Sequence, residues 1–407
     1  MGKVVILDPS LEGEMSHHFY AASALVHELN ELGSAWAVVT HADAAPAVGR
    51  LRPLRHFRLS GYYSVPGAGP EKEMETTALA NAVMLNDLLG LDRAELEPDD
   101  LVFFPAITAN MVLAVCQWIA TFPAGRAPRF GMCLMFQPDW HVSGRTSEVG
   151  PVFYRQAFPF VPAALAPRIA YTCETAGLAQ EFAPLVGRVP TVAPIPTIQH
   201  LIDLDRPRPP QERPIAFLGY AKAEKGFHLL PDVVAAVLRC RPRTTFLVQM
   251  MGHDQALLDG VRAALAVHGD AVRFVEGSIA APRMVELMQS SGLVLMPYDP
   301  ATYRTRGSAI FTEARSVGAP LVLPAGTAAG DEGVQRGFAE AFDAFDAPAV
   351  ARATLRALAR LEALTAAAKR EALRLRRDAP GYLRPILEDF GLIERGAAAP
   401  IAEEVLA

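Results

Sequence analysis

A regular alternation of short apolar runs with longer segments of helical periodicity constrains this chain more than any other feature. The alternation occurs in two successive blocks. A short apolar run is typical of a buried strand, so strands that alternate with helices predict parallel sheets covered by helices. In the first block we predict strands at 4–8, 35–40, 101–105, 130–136 and 168–173, with helices at 16–32, 71–90, 109–121, 152–165 and 175–185.

The second block repeats the pattern after a proline-rich stretch at 190–214, which is typical of an interdomain linker. Its predicted strands span 215–219, 244–250, 272–277, 293–298 and 320–324, and its predicted helices span 226–239, 254–268, 281–291, 307–317 and 348–376. We therefore predict an α/β chain with two Rossmann-like, doubly wound domains that face a central cleft. The predicted parts are a first domain at 1–195, a linker at 196–214, a second domain at 215–378, a helix at 379–393 that crosses back to the first domain, and a flexible tail at 394–407.

The composition limits which kinds of binding partner we expect. The 407 residues are 51% hydrophobic and 20% charged, with a net charge of -6, so we expect two globular domains and no nucleic-acid partner. The N-terminus is interpreted as a strand, and the uncharged stretch 101–125 as a strand and a helix, so no transmembrane segment is predicted. Four scattered cysteines without a CxxC pair favour reduced thiols and a cytoplasmic protein. The basic run 369–377 favours a solvated helix face, with weak membrane-surface contact as the alternative.

The first segment with chemical character is 217–230, FLGYAKAEKGFHLL. A strand ends at Gly219, a polar loop holds Lys222 and Lys225, and we predict that a helix begins at Gly226. Unpaired N–H groups at a helix N-terminus, with two lysines and a glycine beside them, form a suitable cradle for a diphosphate. The alternative is an ordinary loop with surface lysines.

The second such segment is 296–324, in which a polar loop with Tyr303 and Arg306 precedes a helix predicted to start near Gly307 or Ser308. That helix carries Glu313 among apolar residues. A carboxylate in such surroundings needs a partner, and sugar hydroxyls would satisfy it with charge-assisted hydrogen bonds. An ion pair with a nearby arginine is the alternative.

Together these segments resemble the C-terminal domain of GT-B-fold glycosyltransferases, most closely the retaining enzymes of family 4. The resemblance covers about residues 215–325 and includes VEGSI at 275–279 and the PY pair at 297–298. Bacterial members with the pattern Y-x-x-R-x-S-x-x-F-x-E-A are similar to Tyr303–Ala314. The N-terminal half is similar more loosely, through the opening stretch 6–18.

The resemblance implies a nucleoside-diphosphate sugar as donor, with no cofactor and no metal. Lys225 would contact the diphosphate and Glu313 the ribose hydroxyls. Acceptors in the family include glycans, lipids, proteins and small metabolites. The resemblance implies three further groups of donor-binding residues. Lys222 and Gly226 belong to the first loop, and Gly277, Ser278 and Ile279 form the loop beside the nucleobase. The loop and helix start that hold the distal phosphate comprise Tyr303, Arg306, Ser308, Ala309 and Ile310.

In the N-terminal half, His17, His18 and Asp139 are the candidate catalytic or acceptor-contacting residues. The chain departs from the family pattern at Tyr220, where an arginine is frequent, and at Thr305, where the first glutamate of the paired motif would stand. Two alternatives stay open: a nucleotide-sugar epimerase of the same fold, and a non-catalytic glycan- or nucleotide-binding protein, which these departures favour. No GxGxxG follows either opening strand, which disfavours a nicotinamide dehydrogenase.

Overall fold

The computed structural model describes residues 2–14, 16–92, 95–141, 146–193, 195–196, 202–205, 213–378 and 381–394. The chain divides into two compact units. Unit 1 comprises Met1–Pro196 and Pro380–Ala407, and unit 2 comprises Thr197–Ala379. Each unit is a Rossmann-like α/β domain with one parallel sheet, which confirms the predicted fold class. Much of the predicted linker, and the predicted tail beyond residue 394, lie outside the described residues. Within those residues, no helix is both long enough and apolar enough to cross a membrane.

Unit 1 is built on a seven-stranded sheet with the strand order β3-β2-β1-β4-β5-β6-β7. Its strands are β1 Val4–Asp8, β2 Trp36–His41, β3 Leu54–Phe57, β4 Leu101–Ile107, β5 Arg129–Leu134, β6 Ile169–Cys173 and β7 Thr191–Val192. Its first five α-helices are α1 His17–Glu31, α2 Pro70–Gly90, α3 Ala109–Ile119, α4 Gly150–Ala157 and α5 Ala176–Val186. Alternate residues of β1 enter different apolar clusters, Val5 and Leu7 in one and Val4 and Ile6 in the other. Both sheet faces are therefore buried, which explains why the central strands are continuously apolar.

Two differences from the prediction in unit 1 have local causes. The helix predicted at 152–165 ends at Ala157 and continues as short 3-10 turns, because Pro159 and Pro162 interrupt it. Strands β3 and β7 were not predicted. The first is an edge strand whose two leading residues are exposed, and the second has only two residues, so neither produces an apolar run.

Unit 2 has a six-stranded sheet with the order β10-β9-β8-β11-β12-β13. Its strands are β8 Ile215–Phe217, β9 Phe246–Met250, β10 Val272–Glu276, β11 Leu293–Leu295, β12 Leu321–Pro324 and β13 Ala339–Phe342. Its helices are α6 Leu230–Cys240, α7 Gln255–Ala266, α8 Ala281–Ser290, α9 Pro300–Tyr303, α10 Ala309–Ser316, α11 Ala328–Gln335, α12 Ala347–Ala359 and α13 Leu361–Asp378. The helix predicted at 348–376 is in fact two helices that meet at Arg360, and α9, α11 and β13 were not predicted.

The C-terminal helix belongs to unit 1, so the predicted return of the chain to its first domain is confirmed. This helix, α14 Arg384–Asp389, is shorter than the predicted helix at 379–393. Its buried residues Leu383, Ile386 and Leu387 join the apolar cluster that also contains Phe19 of α1. Burial of these side chains provides the driving force for docking.

A buried carboxylate fixes the start of this C-terminal segment. Glu28 of α1 accepts hydrogen bonds from the N–H groups of Tyr382, Leu383 and Arg384, at 2.8 to 3.2 Å. Burial raises the pKa of Glu28, and the three N–H groups partly oppose that rise. Gly381 precedes them with φ +84°, and a Cβ there would lie 2.0 Å from a Glu28 carboxylate oxygen. The backbone conformation and packing at position 381 therefore require glycine.

We expect Glu28→Gln to loosen the C-terminal segment. A glutamine keeps one acceptor oxygen and turns an NH₂ group toward backbone donors, which should lower the stability of unit 1 by about 1–3 kcal/mol. Hydrogen exchange at residues 382–384 should accelerate. The matched control is Glu31→Gln, an exposed position on the same helix. Equal protection in both variants would contradict the assigned role.

Candidate functional site

The loop after β8 departs from the predicted strand–loop–helix geometry. The helix α6 begins at Leu230 and not at Gly226, because two 3-10 turns intervene. The N–H of Gly226 donates to the Ala223 carbonyl at 2.8 Å, so it is not free to bind an anion as predicted. Gly226 has φ +67°, and a Cβ there would lie 2.0 Å from the Pro297 carbonyl oxygen. What the loop contributes to a site is therefore the side chain of Lys225.

The partly exposed Lys225 and the buried Glu313 lie at the centre of this region, near enough for each charge to influence the pKa of the other. Burial lowers the pKa of Lys225 to about 7, with smaller contributions from Arg306 and Lys222. Burial also raises the pKa of Glu313 to about 7, although the positive charge of Lys225 opposes the rise. A lysine and a carboxylate that both titrate near neutral pH are typical of functional sites.

The carboxylate of Glu313 is buried without a close partner. It is 9% exposed, and among the described residues it makes no hydrogen bond and no ion pair. The predicted alternative, an intramolecular pair with an arginine, does not occur within the described part of the chain. Arg315 of the same helix instead pairs with Glu332 and Glu371. Burying a carboxylate without hydrogen bonds is unfavourable, so Glu313 is a candidate for contact with a ligand.

The start of α10 lies beside this pair, and its position confirms the helix predicted to begin near Ser308. The Ser308 side chain caps the helix by accepting from the Phe311 N–H at 3.4 Å. In the described structure the N–H groups of Ala309 and Ile310 have no acceptor. Such a terminus offers two donors and the positive end of a helix dipole to an anion.

Gly219 brings the two predicted segments together. A Cβ at this position would lie 3.2 Å from the Ile310 side chain and 3.5 Å from the Lys225 ammonium. Its own N–H donates to the side-chain oxygen of Gln249 at 2.8 Å. The absence of a side chain at this glycine, which has φ +102°, thus lets the lysine approach the helix start.

Gln249 is a buried residue that the sequence analysis missed. Its side-chain nitrogen donates to the Gly277 carbonyl at 2.8 Å while its oxygen binds Gly219. One amide therefore joins the loop of Lys225 to the loop predicted to lie beside a nucleobase. In that second loop Ser278 is exposed and Ile279 is buried. In the sequence, Gln249 could have been recognised only as a polar residue at the end of an apolar strand.

Two tyrosines adjoin the lysine. The Lys225 ammonium is 5.5 Å from the ring centroid of Tyr298, and that ring lies 4.4 Å from the ring of Tyr303. Arg306 places its guanidinium 5.1 Å from the Tyr303 ring centroid. Burial raises the pKa of both phenols. The Tyr298 hydroxyl has no hydrogen-bond partner of good geometry among the described residues, although the Ser308 side chain is close enough to affect its pKa.

Lys222 and Tyr220 occupy the outer part of the first loop. The Lys222 ammonium is 3.5 Å from the carboxylate of Glu224 and 5.8 Å from the Tyr220 ring centroid. Tyr220 in turn contacts His253 with ring centroids 5.1 Å apart. Where an arginine is frequent in the family pattern, this chain thus presents an aromatic pair with one cation beside it.

In unit 1 the adjacent histidines have different environments. His17 is exposed, whereas His18 is buried with Nδ1 2.8 Å from a carboxylate oxygen of Asp8 and Nε2 3.2 Å from the Tyr62 hydroxyl. Asp139 is exposed. The sequence analysis missed Asp8, although a charged residue at the end of a buried strand is a recognisable signal.

Within the described residues, no group of three or more His, Cys, Asp or Glu side chains could hold a metal ion. The Asp203 carboxylate accepts from the N–H of Asp205 at 2.9 Å and so closes a local turn.

Comparison with known proteins supports the fold. No protein-family model matches the sequence, and no curated protein is significantly similar to it. Among solved structures, a UDP-forming α,α-trehalose-phosphate synthase from Burkholderia vietnamiensis has a TM-score of 0.66 and 14% identity, covering 96% of this chain and 98% of that one. A sucrose-phosphate synthase from Thermosynechococcus elongatus has a TM-score of 0.65 and 14% identity, covering 96% and 98%.

A third similar structure is a protein from Listeria monocytogenes assigned as UDP-N-acetylglucosamine 2-epimerase. Its TM-score is 0.60 at 15% identity, and the match covers 97% of this chain and 98% of that one. Together with the two parallel-sheet domains, these likenesses define the fold as that of the GT-B glycosyltransferases.

Proposed function

We propose that this chain is a glycosyltransferase that moves a sugar from a nucleoside-diphosphate sugar to an acceptor, with the donor bound by unit 2. The observation that carries the proposal is that the partly exposed Lys225 and the buried Glu313 lie beside the open N-terminus of α10. The cation and the free N–H groups suit a diphosphate, and the unpartnered carboxylate suits a ribose diol.

Transfer of the sugar requires stabilisation of the negative charge that develops on the leaving diphosphate. As the bond between the sugar and the diphosphate breaks, the leaving diphosphate gains negative charge. Lys225 and the N–H groups of Ala309 and Ile310 would stabilise that charge from fixed positions, without a chelated metal. Glu313 would hold the nucleoside and so fix the position of the phosphates.

The proposal extends to the family, the type of sugar and the nucleotide of the donor. The pattern at Tyr303–Ala314 supports membership of family 4 and transfer of a hexose with retention. Thr305 in place of the first glutamate removes one contact that the pattern implies for the donor sugar. One similar structure is named as UDP-forming, which makes UDP the first nucleotide to test. We propose a cytoplasmic enzyme whose acceptor is a glycan, lipid, protein or small metabolite.

A test of the donor site uses calorimetry and thermal shift with UDP, GDP, ADP, CMP and NAD, with and without EDTA. We expect EDTA-insensitive binding of one nucleoside diphosphate. Glu313→Gln should weaken that binding at least tenfold because it removes the charge that binds the diol. Binding of none of these nucleotides would refute the proposed donor site.

The same variant should stabilise the ligand-free protein. Above neutral pH the raised pKa of Glu313 means that its ionised form disfavours the folded state, so a neutral isostere should raise the free energy of unfolding by about 1–3 kcal/mol. This gain should shrink as the pH falls from about 7 and should be absent below the ordinary carboxyl pKa. The control is Glu362→Gln, at an exposed glutamate of α13. Lower stability than wild type at pH 8 would indicate a structural carboxylate.

A nucleotide-sugar epimerase is the second candidate, favoured by the likeness to the protein assigned as a 2-epimerase. It would use the same donor site without an acceptor. Incubation of the bound nucleotide sugar alone, followed by NMR, separates the two functions. A new sugar isomer without transfer product supports the epimerase, and binding without any turnover supports a non-catalytic protein.

A further inference from the structure

The buried side chain of Gln249 stands between two loops of unit 2. Gln249 lies near the end of β9, which is hydrogen-bonded to β8 on one side and to β10 on the other. Parallel strands that are neighbours lie about 4.8 Å apart and end at the same edge of the sheet, so the loops after β8 and β10 flank this side chain. It is 0% exposed, and its amide therefore depends on protein partners.

The amide of Gln249 bonds to both flanking loops. Its Oε1 accepts from the Gly219 N–H and its Nε2 donates to the Gly277 carbonyl, each at 2.8 Å. Only the oxygen can accept from an N–H and only the nitrogen can donate to a carbonyl, so the network fixes the orientation of the amide. The other residues of β9 are apolar, and an apolar side chain here would leave both loop groups without this partner.

Gly219 is the point at which this amide bears on the candidate donor site. A Cβ at Gly219 would lie 3.2 Å from the Ile310 side chain and 3.5 Å from the Lys225 ammonium. Ile310 belongs to the first turn of α10. A glycine has wide backbone freedom, and the bond from its N–H to Gln249 restricts that freedom. A shift of Gly219 would therefore change how the lysine is placed relative to the helix start.

We propose that Gln249 is a positioning residue for the diphosphate: it holds Gly219, and through it Lys225, in a fixed position relative to the N-terminus of α10. This inference rests on the proposed function, which assigns the diphosphate to Lys225 and α10. Gln249 acts through the loop and touches no phosphate. Donors that are held in the bound arrangement before the ligand arrives bind it more tightly than the same donors on a loose loop. The site thus owes part of its affinity for a diphosphate to this amide.

The test compares Gln249→Met with wild type on the full chain, by calorimetry and saturation-transfer NMR. The probes are UDP, GDP and ADP, the three corresponding nucleosides, and pyrophosphate. For the base that wild type binds, we expect the variant to bind the nucleoside diphosphate and pyrophosphate about tenfold or more weakly. The affinity for the nucleoside alone should change less than about threefold, because the nucleoside does not use Lys225. A purely structural role would not change the ratio of these affinities.

The variant should fold, because backbone bonds hold both loops to the end of β9 without the side chain. The Ala221 N–H donates to the Met251 carbonyl at 2.6 Å, and the Gly277 N–H donates to the Met250 carbonyl at 3.0 Å. If Gln249→Met nevertheless fails to fold, Gln249→Asn takes its place. Asparagine keeps the amide but is one methylene too short to reach both loops, so we expect the same selective loss of diphosphate binding.

The matched control is Gln289→Met, at a buried glutamine of α8. The Nε2 of Gln289 donates to the Asp203 carbonyl at 2.8 Å, so this variant also loses a buried amide that binds a backbone group. It should lower the stability of unit 2 and leave the ratio of diphosphate to nucleoside affinity unchanged.

The outcomes separate this inference from the proposed function. If wild type binds none of the nucleotides, the donor site is refuted and the role of Gln249 with it. If wild type binds a nucleoside diphosphate and the folded Gln249 variant binds it equally well, the donor site stands and the positioning role is overturned. An equal loss of nucleoside and diphosphate affinity would also overturn that role, since it would indicate a general disturbance of unit 2.

Discussion

Lys225→Met is expected to lower the rate of sugar transfer by about 10²–10³-fold, because it removes a fixed positive charge from the position where the leaving diphosphate becomes more negative. Methionine keeps most of the length of the side chain and avoids the cost of a buried charge, so the fold should persist. The matched control is Lys369→Met on the exposed face of α13, which should retain wild-type turnover. Wild-type turnover in folded Lys225→Met would remove the lysine from the mechanism.

The pH dependence of donor binding provides a second readout of the same pair. A nucleotide sugar is a suitable probe because its diphosphate stays ionised across the range. With the free-protein pKa of Lys225 at about 7, binding above that pH must take up a proton, so affinity should fall as pH rises. With the pKa of Glu313 also at about 7, the carboxylate must lose a proton below that pH, so affinity should fall as pH decreases.

The resulting bell-shaped profile should have its maximum near neutral pH. Binding above neutral pH requires the Lys225 ammonium and binding below it requires the Glu313 carboxylate, so Lys225→Met should abolish the alkaline flank and Glu313→Gln the acidic flank. Calorimetry in buffers of different ionisation enthalpy measures the protons directly. A profile that keeps both flanks in both variants would show that other groups titrate on binding.

Gly226→Ala is expected to have the largest effect on stability. The residue has φ +67°, and an added Cβ would lie 2.0 Å from the Pro297 carbonyl oxygen, a backbone atom that cannot rotate away. We expect unit 2 to lose about 3 kcal/mol or more of stability, and the displaced Lys225 loop to lose donor binding. Chemical denaturation and nucleotide calorimetry measure the two effects.

A second glycine serves as the control, because it shows what an added methyl group does where it causes no steric clash. Gly260 lies inside α7 with nothing within 4 Å of its Cβ position. Gly260→Ala should therefore be neutral, or stabilising by up to about 1 kcal/mol, since alanine is the better helix former. If Gly226→Ala proved equally benign, the close packing of this loop against Pro297 would not constrain it.

The sequence predicted the sheets and central helices well because their signal is local. Apolar strands such as β1 and β4 are buried on both faces, and the Ser308 cap marks a helix start within four residues. The start of α6 was predicted wrongly at Gly226. That glycine is required by a left-handed turn and by contact with a strand end more than 70 residues away.

The sequence indicated the two charged residues of the candidate site and not the residues that support them. Lys225 was indicated by a polar loop that follows a strand and contains a glycine, and Glu313 by the rarity of a charge in apolar surroundings. Gln249 and Tyr298 are defined by contacts between segments distant in sequence, which no local pattern reports. Their roles as structural supports became visible only from the arrangement of the loops.

The contact between Glu28 and residues 382–384 has a consequence for synthesis on the ribosome. The carboxylate of Glu28 cannot meet its three N–H donors until residues 382–384 have been translated, and unit 2 is translated before them. Unit 2 can therefore fold as an independent nascent domain while unit 1 remains incomplete. Unit 1 is begun before unit 2, yet it gains the contacts of Glu28, and with them its full stability, only after unit 2 has been translated.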